Sequence, residues 1–285
     1  MSLREITNEN VKDQDRTQIV TIEGRREKAR EREMNRESLD VEVRDGNEFA
    51  SFYASGLITE VLGPLKSGKE AQVWICRADE AKAGAALVAA KVYKPLETRG
   101  FRNAATYDDG LRGMDVREAR AIRSKTGFGR EVEHGVWVGR EYGRLQQLHE
   151  VGVAVPRPIA QEGRVIMMEF CGDESGAAPQ LKDVHLSTDE ARSAFKWLLY
   201  DIELMLGANV VHGDLSPFNV LWWEGRSKVI DFPQAVDPRF NRQARALLER
   251  DVRNVCGYFA RLGVDAAKPE PITADLWRRF MRSAL

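Results

Sequence analysis

No apolar run in the sequence approaches the roughly 18 residues that a membrane span requires, and the N-terminus turns polar at Arg4, unlike a secretory signal. A cytoplasmic protein with no membrane partner is expected. Cysteine is scarce: Cys76, Cys171 and Cys256 stand far apart in apolar settings, with no C-x-x-C. That excludes a disulfide framework and a zinc ribbon and leaves three reduced core residues. An excess of one charge is missing too, with 43 Lys and Arg against 44 Asp and Glu. No global field draws the chain to DNA or to a membrane surface, so partners must be sought in local sites. Residues 1–48 lack any aromatic, proline or cysteine, yet hold ten basic and thirteen acidic residues. Such a segment cannot build a core; a charged, mobile tail is expected.

From Phe49 onward the composition is that of a globular protein. The 285 residues are 43% hydrophobic and 31% charged, enough for one large or two small domains. "ITEVLGPLKSGKEAQVWICRAD" reads as strand, turn, strand, and "AALVAAKVYK" as a further buried strand. A stretch rich in Gly, Arg and Asp follows, and Lys94 to Arg130 counts nine basic residues against five acidic. "WVGREYGRLQQLHEVG" has Trp137, Tyr142, Leu145 and Leu148 at helical spacing, closed by Gly152. "GRVIMMEF" predicts a buried strand. Ser187 and Glu190 stand at capping-box spacing before a stripe of Phe195, Leu198, Leu199, Ile202 and Leu206. Val210 and Val211 are expected to end a short strand, and "VLWW" and "SKVI" to pair around Glu224-Gly225-Arg226. A helix with Leu247, Leu248, Val252, Val255 and Phe259 stops at Gly263, and a shorter one is expected from Ala274 to Met281. The order predicts an α+β fold of two lobes, a β-rich one over about 49–170 and a helical one over about 171–285.

The stretch "VVHGDLSPFNVLWWEGRSKVIDFPQ" concentrates the chemistry. Asp214, Asn219 and Asp231 all fall at the ends of apolar segments, where loop residues converge at one edge. Oxygen side chains in that setting suit Mg²⁺, which keeps some waters and relies on one or two carboxylates plus substrate phosphates. Phosphoryl transfer asks for that metal, a carboxylate to accept the hydroxyl proton and a cation on the phosphates. His212, between two valines and Gly213, reads as a structural hydrogen-bonder rather than a catalyst.

The pattern His212, Asp214, Asn219, then Asp231-Phe232 resembles the protein-kinase-like superfamily. By that resemblance Asp214 is the catalytic base, and Asn219 and Asp231 hold Mg²⁺ or Mn²⁺. Lys91 in "LVAAKVYK" resembles the strand lysine that grips the ATP phosphates, and Glu141 on the next helix its pairing acid. "GPLKSGKE" fits a Walker A spacing from Gly63 to Lys69, but Glu70 replaces the Ser or Thr and a strand follows where a helix is needed. Aligned on Val73 to the kinase glycine loop, the three glycine positions become Lys66, Gly68 and Ala71. Only Gly68 survives. "SGKEAQVW" instead resembles the signature of the RIO family of atypical serine/threonine protein kinases, as do "LHEVGVAVPRPI", "MMEFCGDESGAAPQLKDV", "HGDLSPFNVL", "IDFPQAV" and "LLERDVRNVCGYF". The resemblance covers roughly 49–264. It implies a two-lobed kinase fold that binds ATP through Lys91, Ser67, Gly68, Lys69, Glu141, Glu169 and Phe170. It also implies autophosphorylation on Ser or Thr and, in some members, a phosphoaspartate on the residue that is here Asp231.

Two features depart from ordinary kinases. Ser216 stands where they place a lysine near the γ-phosphate, a charge that Lys69 is placed to supply. After Asp231 there is no A-P-E and only 54 residues, which leaves no room for the usual activation segment and peptide-docking helices. Three functions fit. The first is a RIO-type kinase or ATPase acting on itself or on a protein substrate. The second is a small-molecule phosphotransferase resembling aminoglycoside and choline kinases. The third is an ATP-responsive factor whose basic 94–130 loop engages RNA or a ribosomal ribonucleoprotein.

Overall fold

The apolar text of LVAAKVY becomes a central strand, β3 (Leu87–Tyr93), bonded along both edges. The structure is a computed structural model that describes residues 47–94, 127–265 and 268–285. Almost all of the expected tail and most of the basic 94–130 stretch lie outside the described residues. The chain divides into Met1–Phe49, of which one 3-10 turn at Asn47–Phe49 is described, and Ala50–Leu285.

Within the larger unit, α1 (Ala50–Ala54) leads into β1 (Ile58–Ser67) and β2 (Ala71–Ala78), and a single-turn α2 (Glu80–Ala83) precedes β3. The long helix α3 (Gly127–Glu150) is followed by β4 (Pro158–Glu162) and β5 (Val165–Glu169). All neighbours are antiparallel in the order β1-β2-β3-β5-β4. β1 slips register three times, at Ile58/Glu60 and on either side of Gly63 and Pro64, the kind of irregularity that re-aims a strand end beside a site. The strand β4 was not expected from the sequence: Pro156 and Pro158 obscure its pattern, and proline is tolerated there because β4 is an edge.

The second half opens with a two-residue hairpin, β6 (Gly172–Asp173) and β7 (Gly176–Ala177). Helix α4 (Thr188–Gly207) starts at the expected capping box: the Glu190 amide donates to the Ser187 hydroxyl, and the Ser187 amide donates to the Glu190 carboxylate at 2.8 Å. Val210 and Val211 do not form the expected strand; Val211 makes one isolated bridge to Val236. The hairpin β8 (Val220–Trp223) and β9 (Arg226–Val229) turns on Glu224 and Gly225 alone, both at positive φ, so Arg226 belongs to the strand and pairs with Trp223. That is the turn whose twist matches a hairpin. Helix α5 (Ala244–Arg261) ends before Gly263 at φ +77°. Helix α6 (Pro269–Met281) begins five residues before its expected start, with Pro269 in the first turn, where its missing amide costs nothing.

Two apolar clusters result. The larger joins α3, α4, α5 and the hairpin through residues such as Leu148, Phe195, Leu198, Leu206 and Phe259. The smaller gathers Ala71, Tyr93, Val138 and Ile166 between the sheet and α3, and Met168 packs against both. Sheet with α3 on one side and helices with a hairpin on the other make the expected two-lobed α+β arrangement. No helix among the described residues is long and apolar enough to cross a membrane, and the three cysteines are buried and free.

Candidate active site

Lys91 sits in mid-β3 between Val73 on one neighbouring strand and Ile166 on the other. An ammonium in such a place needs counter-charge, and two carboxylates provide it: Nζ lies 2.8 Å from Glu141 Oε1 on α3 and 2.8 Å from Asp231 Oδ1 just after β9. Burial works to lower the Lys91 pKa, but Glu141, Tyr93 and Asp231 outweigh it and hold the ammonium charged well above its ordinary range. Tyr93, on the same face of β3, donates its hydroxyl to the other Glu141 oxygen and meets the Trp137 ring edge-on at 4.8 Å. Glu141 is therefore held from two sides by one strand.

Asp231 differs from Glu141 in exposure: 47% of its side chain is accessible against 8%. Its partial burial pushes the pKa up, but Lys91, with smaller help from His212 and Lys66, pulls it below the ordinary carboxylate value. It also occupies left-handed backbone at φ +72°, a conformation that costs a non-glycine residue on the order of 1–3 kcal/mol and collects at functional sites.

His212, Asp214 and Asn219 are mounted by the hairpin and by α5. The His212 ring is buried. Its Nδ1 accepts from the Asp214 amide at 3.3 Å, which fixes the proton on Nε2, 3.2 Å from the Ile230 carbonyl. Burial lowers its pKa and keeps it neutral, and its ring lies 4.9 Å from that of Phe232. It thus links the loop bearing Asp214 to the segment bearing Asp231, the structural part expected of it. Asn219 Nδ2 donates to the Asp214 carbonyl at 2.9 Å and carboxylate at 3.2 Å, while the Ile230 amide donates to the Asn219 carbonyl at 2.9 Å. Gly213 is at φ +77°, and a Cβ there would stand 2.8 Å from the Gln234 carbonyl oxygen.

The segment around Asp214 is pinned from α5 by residues that sequence reasoning gave no role. Buried Asp251 accepts the Gly213 amide at 2.7 Å and the Leu215 amide at 2.9 Å. Arg250 donates to the Gly213 carbonyl, and Asn254 Nδ2 to the Leu215 carbonyl at 3.0 Å. A signal for Asp251 existed: it stands three residues after Leu248 and four before Val255, on the apolar stripe of its own helix. Tyr93, read only as part of an apolar strand, could have been found from its spacing of two residues from Lys91.

The remaining candidates are placed as follows. Ser67 ends β1, and Gly68 and Lys69 lie in the exposed turn to β2, where the Gly68 amide donates to Ala71 O at 2.8 Å. Lys66, near the end of β1 just before this turn, is one of the charges that lower the Asp231 pKa. Glu169 ends β5 and Phe170 follows it, but their side chains do not join the group: the Glu169 carboxylate is bonded to Lys228 and to the Arg157 amide, and Phe170 is buried. Among the described residues no cluster of three His, Cys, Asp or Glu could hold a metal by itself. This edge instead carries one carboxylate, Asp231, and one amide side chain, Asn219, and oxygen donors of that kind suit a hard cation that also takes water and phosphate.

The family model described as "RIO domain" matches residues 72–272. The chain is 34% identical over 228 residues to the RIO-type serine/threonine-protein kinase Rio1 of Haloferax volcanii, covering 79% of this chain and 72% of that one. It is 30% identical over 219 residues to the serine/threonine-protein kinase RIO1 of Chaetomium thermophilum, covering 73% of this chain and 41% of the relative, so it spans about two fifths of that longer protein. Among solved structures, a Rio2 kinase-ADP/Mg²⁺-phosphoaspartate complex from Chaetomium thermophilum superposes with a TM-score of 0.57 at 22% identity, covering 81% of this chain and 64% of that one. The fold is similar.

Proposed function

The chain belongs to the RIO family, and from that premise we propose that it is an ATP- and Mg²⁺-dependent serine/threonine kinase that transfers the γ-phosphate to itself or to a protein substrate. The observation that carries this reading is Lys91, held mid-strand by Glu141 and Asp231, with Asp214 and Asn219 joined to the same segment through His212 and Ile230. In this reading Lys91 holds the α- and β-phosphates, with the turn at Ser67, Gly68 and Lys69 over the phosphate tail. Asp214, exposed and fixed on both sides by backbone bonds, accepts the proton of the attacking hydroxyl. Asn219 and Asp231 would hold magnesium, which when bound neutralises charge between phosphate oxygens. The β5 end at Glu169 and Phe170 meets the base through its backbone, since both side chains are otherwise engaged. The sheet lobe ends near Phe170 and the helical lobe begins near Cys171.

Asp231 also has the exposure and the ionisation of a phosphoryl acceptor. One carboxylate oxygen attacks the γ-phosphorus, ADP leaves with the bond electrons, and water hydrolyses the acyl phosphate later, for a net ATPase cycle. Cytoplasmic location and a ribosomal or other ribonucleoprotein partner belong to the same reading.

The test is incubation with γ-labelled ATP and Mg²⁺. Label on this chain or on an added protein supports it, and label that hydroxylamine removes, lost in Asp231→Asn, supports the phosphoaspartate. Label found on an added aminoglycoside or choline, with none on protein, would overturn the kinase reading in favour of a small-molecule phosphotransferase.

A further inference from the structure

Glu169 was expected at the nucleotide, and its carboxylate is instead the middle of a strap across the molecule. Both of its oxygens face Lys228 Nζ, at 3.2 and 3.0 Å, and one also accepts the Arg157 amide at 2.9 Å. The Glu169 amide returns a bond to the Arg157 carbonyl at 2.8 Å, and the Arg157 guanidinium reaches the Ala83 carbonyl at the end of α2 at 2.6 Å. The ion pair is partly shielded, with the two side chains 24% and 29% accessible.

Its ends matter more than its strength. Glu169 is the last residue of β5, just before the chain leaves the sheet for the helical half. Lys228 lies on β9, three residues before Asp231. On the reading above, the base of the nucleotide lies against the first segment and its phosphates against the second. We propose that Lys228 is a positioning residue: it ties the end of β5 to the strand that delivers Asp231 and so sets the spacing between the base and phosphate subsites. This rests on the nucleotide reading and adds to it a residue that touches neither nucleotide nor metal. A ligand that spans two subsites gains from each only if their spacing is fixed beforehand. Loss of the strap weakens nucleotide binding, whereas chemistry on nucleotide already bound proceeds.

Calorimetric titration of the full chain with Mg-ADP tests this in a cycle of Lys228→Met, Glu169→Gln and the double variant, with Lys228→Arg alongside. Each single change should raise Kd about tenfold and the double variant no further, the signature of a coupled pair. Lys228→Arg should stay within about twofold of the unaltered chain, because a guanidinium still spans both oxygens. The KM for ATP should rise in step with Kd while kcat holds within about threefold. Thermal unfolding without nucleotide should move little, which separates positioning from a fold defect. Binding by Lys228→Met equal to the unaltered chain, or additive losses in the double variant, would overturn the proposal alone. Failure of the unaltered chain to bind Mg-ADP would overturn the nucleotide reading and this inference with it.

Discussion

Replacing Asp251 with asparagine should nearly stop phosphoryl transfer while leaving the fold standing, because two effects oppose each other in stability but not in rate. Asp251 is buried on α5 and takes an amide proton on each side of Asp214, from Gly213 and from Leu215. Keeping it ionised is costly. Its pKa is raised from 3.8 to about 6, chiefly by burial, and a shift of about two units corresponds to about 3 kcal/mol near neutral pH. Asparagine removes that cost, but it offers one acceptor oxygen to two amides and turns an NH₂ toward the other, a loss of about 2–3 kcal/mol. Net stability should therefore change by about 1 kcal/mol or less. The rate has no such compensation: with one of the two Asp251 bonds gone, the loop bearing Asp214 is held less closely in place, and a displacement of about 1 Å can cost about 10²-fold. The assay is the initial rate of labelled phosphate transfer at saturating ATP, paired with urea unfolding at the same pH. Turnover within about threefold of the unaltered chain would refute the anchoring argument. A collapse of the unfolding midpoint together with the rate would show that Asp251 serves the fold rather than the loop.

Asp214→Ala should lower turnover by about 10²–10⁴-fold with nucleotide affinity intact, whereas Lys91→Met should weaken both, as read by calorimetry and transfer rate; undiminished turnover in Asp214→Ala would sink its assignment as the base. Gly213→Ala should destabilise the chain by about 2 kcal/mol or more, because it forces a side chain into left-handed backbone and against a carbonyl oxygen; urea unfolding reads this. Asp201 on α4 accepts the Ala154 amide at 3.0 Å, and its pKa is raised to about 6, mainly by burial. Its folded pKa exceeds the ordinary 3.8, so its contribution to stability is full below about pH 4 and lost as pH rises through about 6. Asp201→Asn, which keeps an acceptor for Ala154, should flatten that decline by up to about 3 kcal/mol in denaturation curves measured between pH 4 and 7.

The legible part of the site was the part written locally. Asn219 and Asp231 were visible because a short hairpin separates them, Asp214 because it stands five residues before Asn219 in the same loop, and Lys91 because a lysine in a buried strand demands a partner. The capping box at Ser187 and the helix stops at Gly152 and Gly263 were visible for the same reason, since backbone geometry there selects the residue. What escaped depends on distant segments meeting. Asp251 looks like one charge among several in LLERDVRN until α5 packs behind the loop. Glu169 read as a nucleotide contact, and nothing in MMEF shows that Lys228 takes its carboxylate and leaves only its backbone for that part. Val210 and Val211 read as strand from composition, but one bridge is all the fold gives them, because Gly213 turns the chain within two residues.

The hairpin of β8 and β9 has a consequence for the order in which the site assembles. Its two-residue turn brings Asn219 beside Ile230, so two residues only twelve apart in sequence, Asn219 and Asp231, become neighbours through contacts that a hairpin forms in microseconds. Lys91 meets Glu141 across 50 residues and Asp231 across 140, which requires the sheet, α3 and the helical half to have closed on one another. The contact that sets Asn219 beside Asp231 is thus local, and the ion pairs of Lys91 wait for the rest of the fold. On the proposed roles, the metal-side pair depends on a short hairpin and the phosphate-side lysine on the closed fold, so the capacity to handle ATP requires the finished fold.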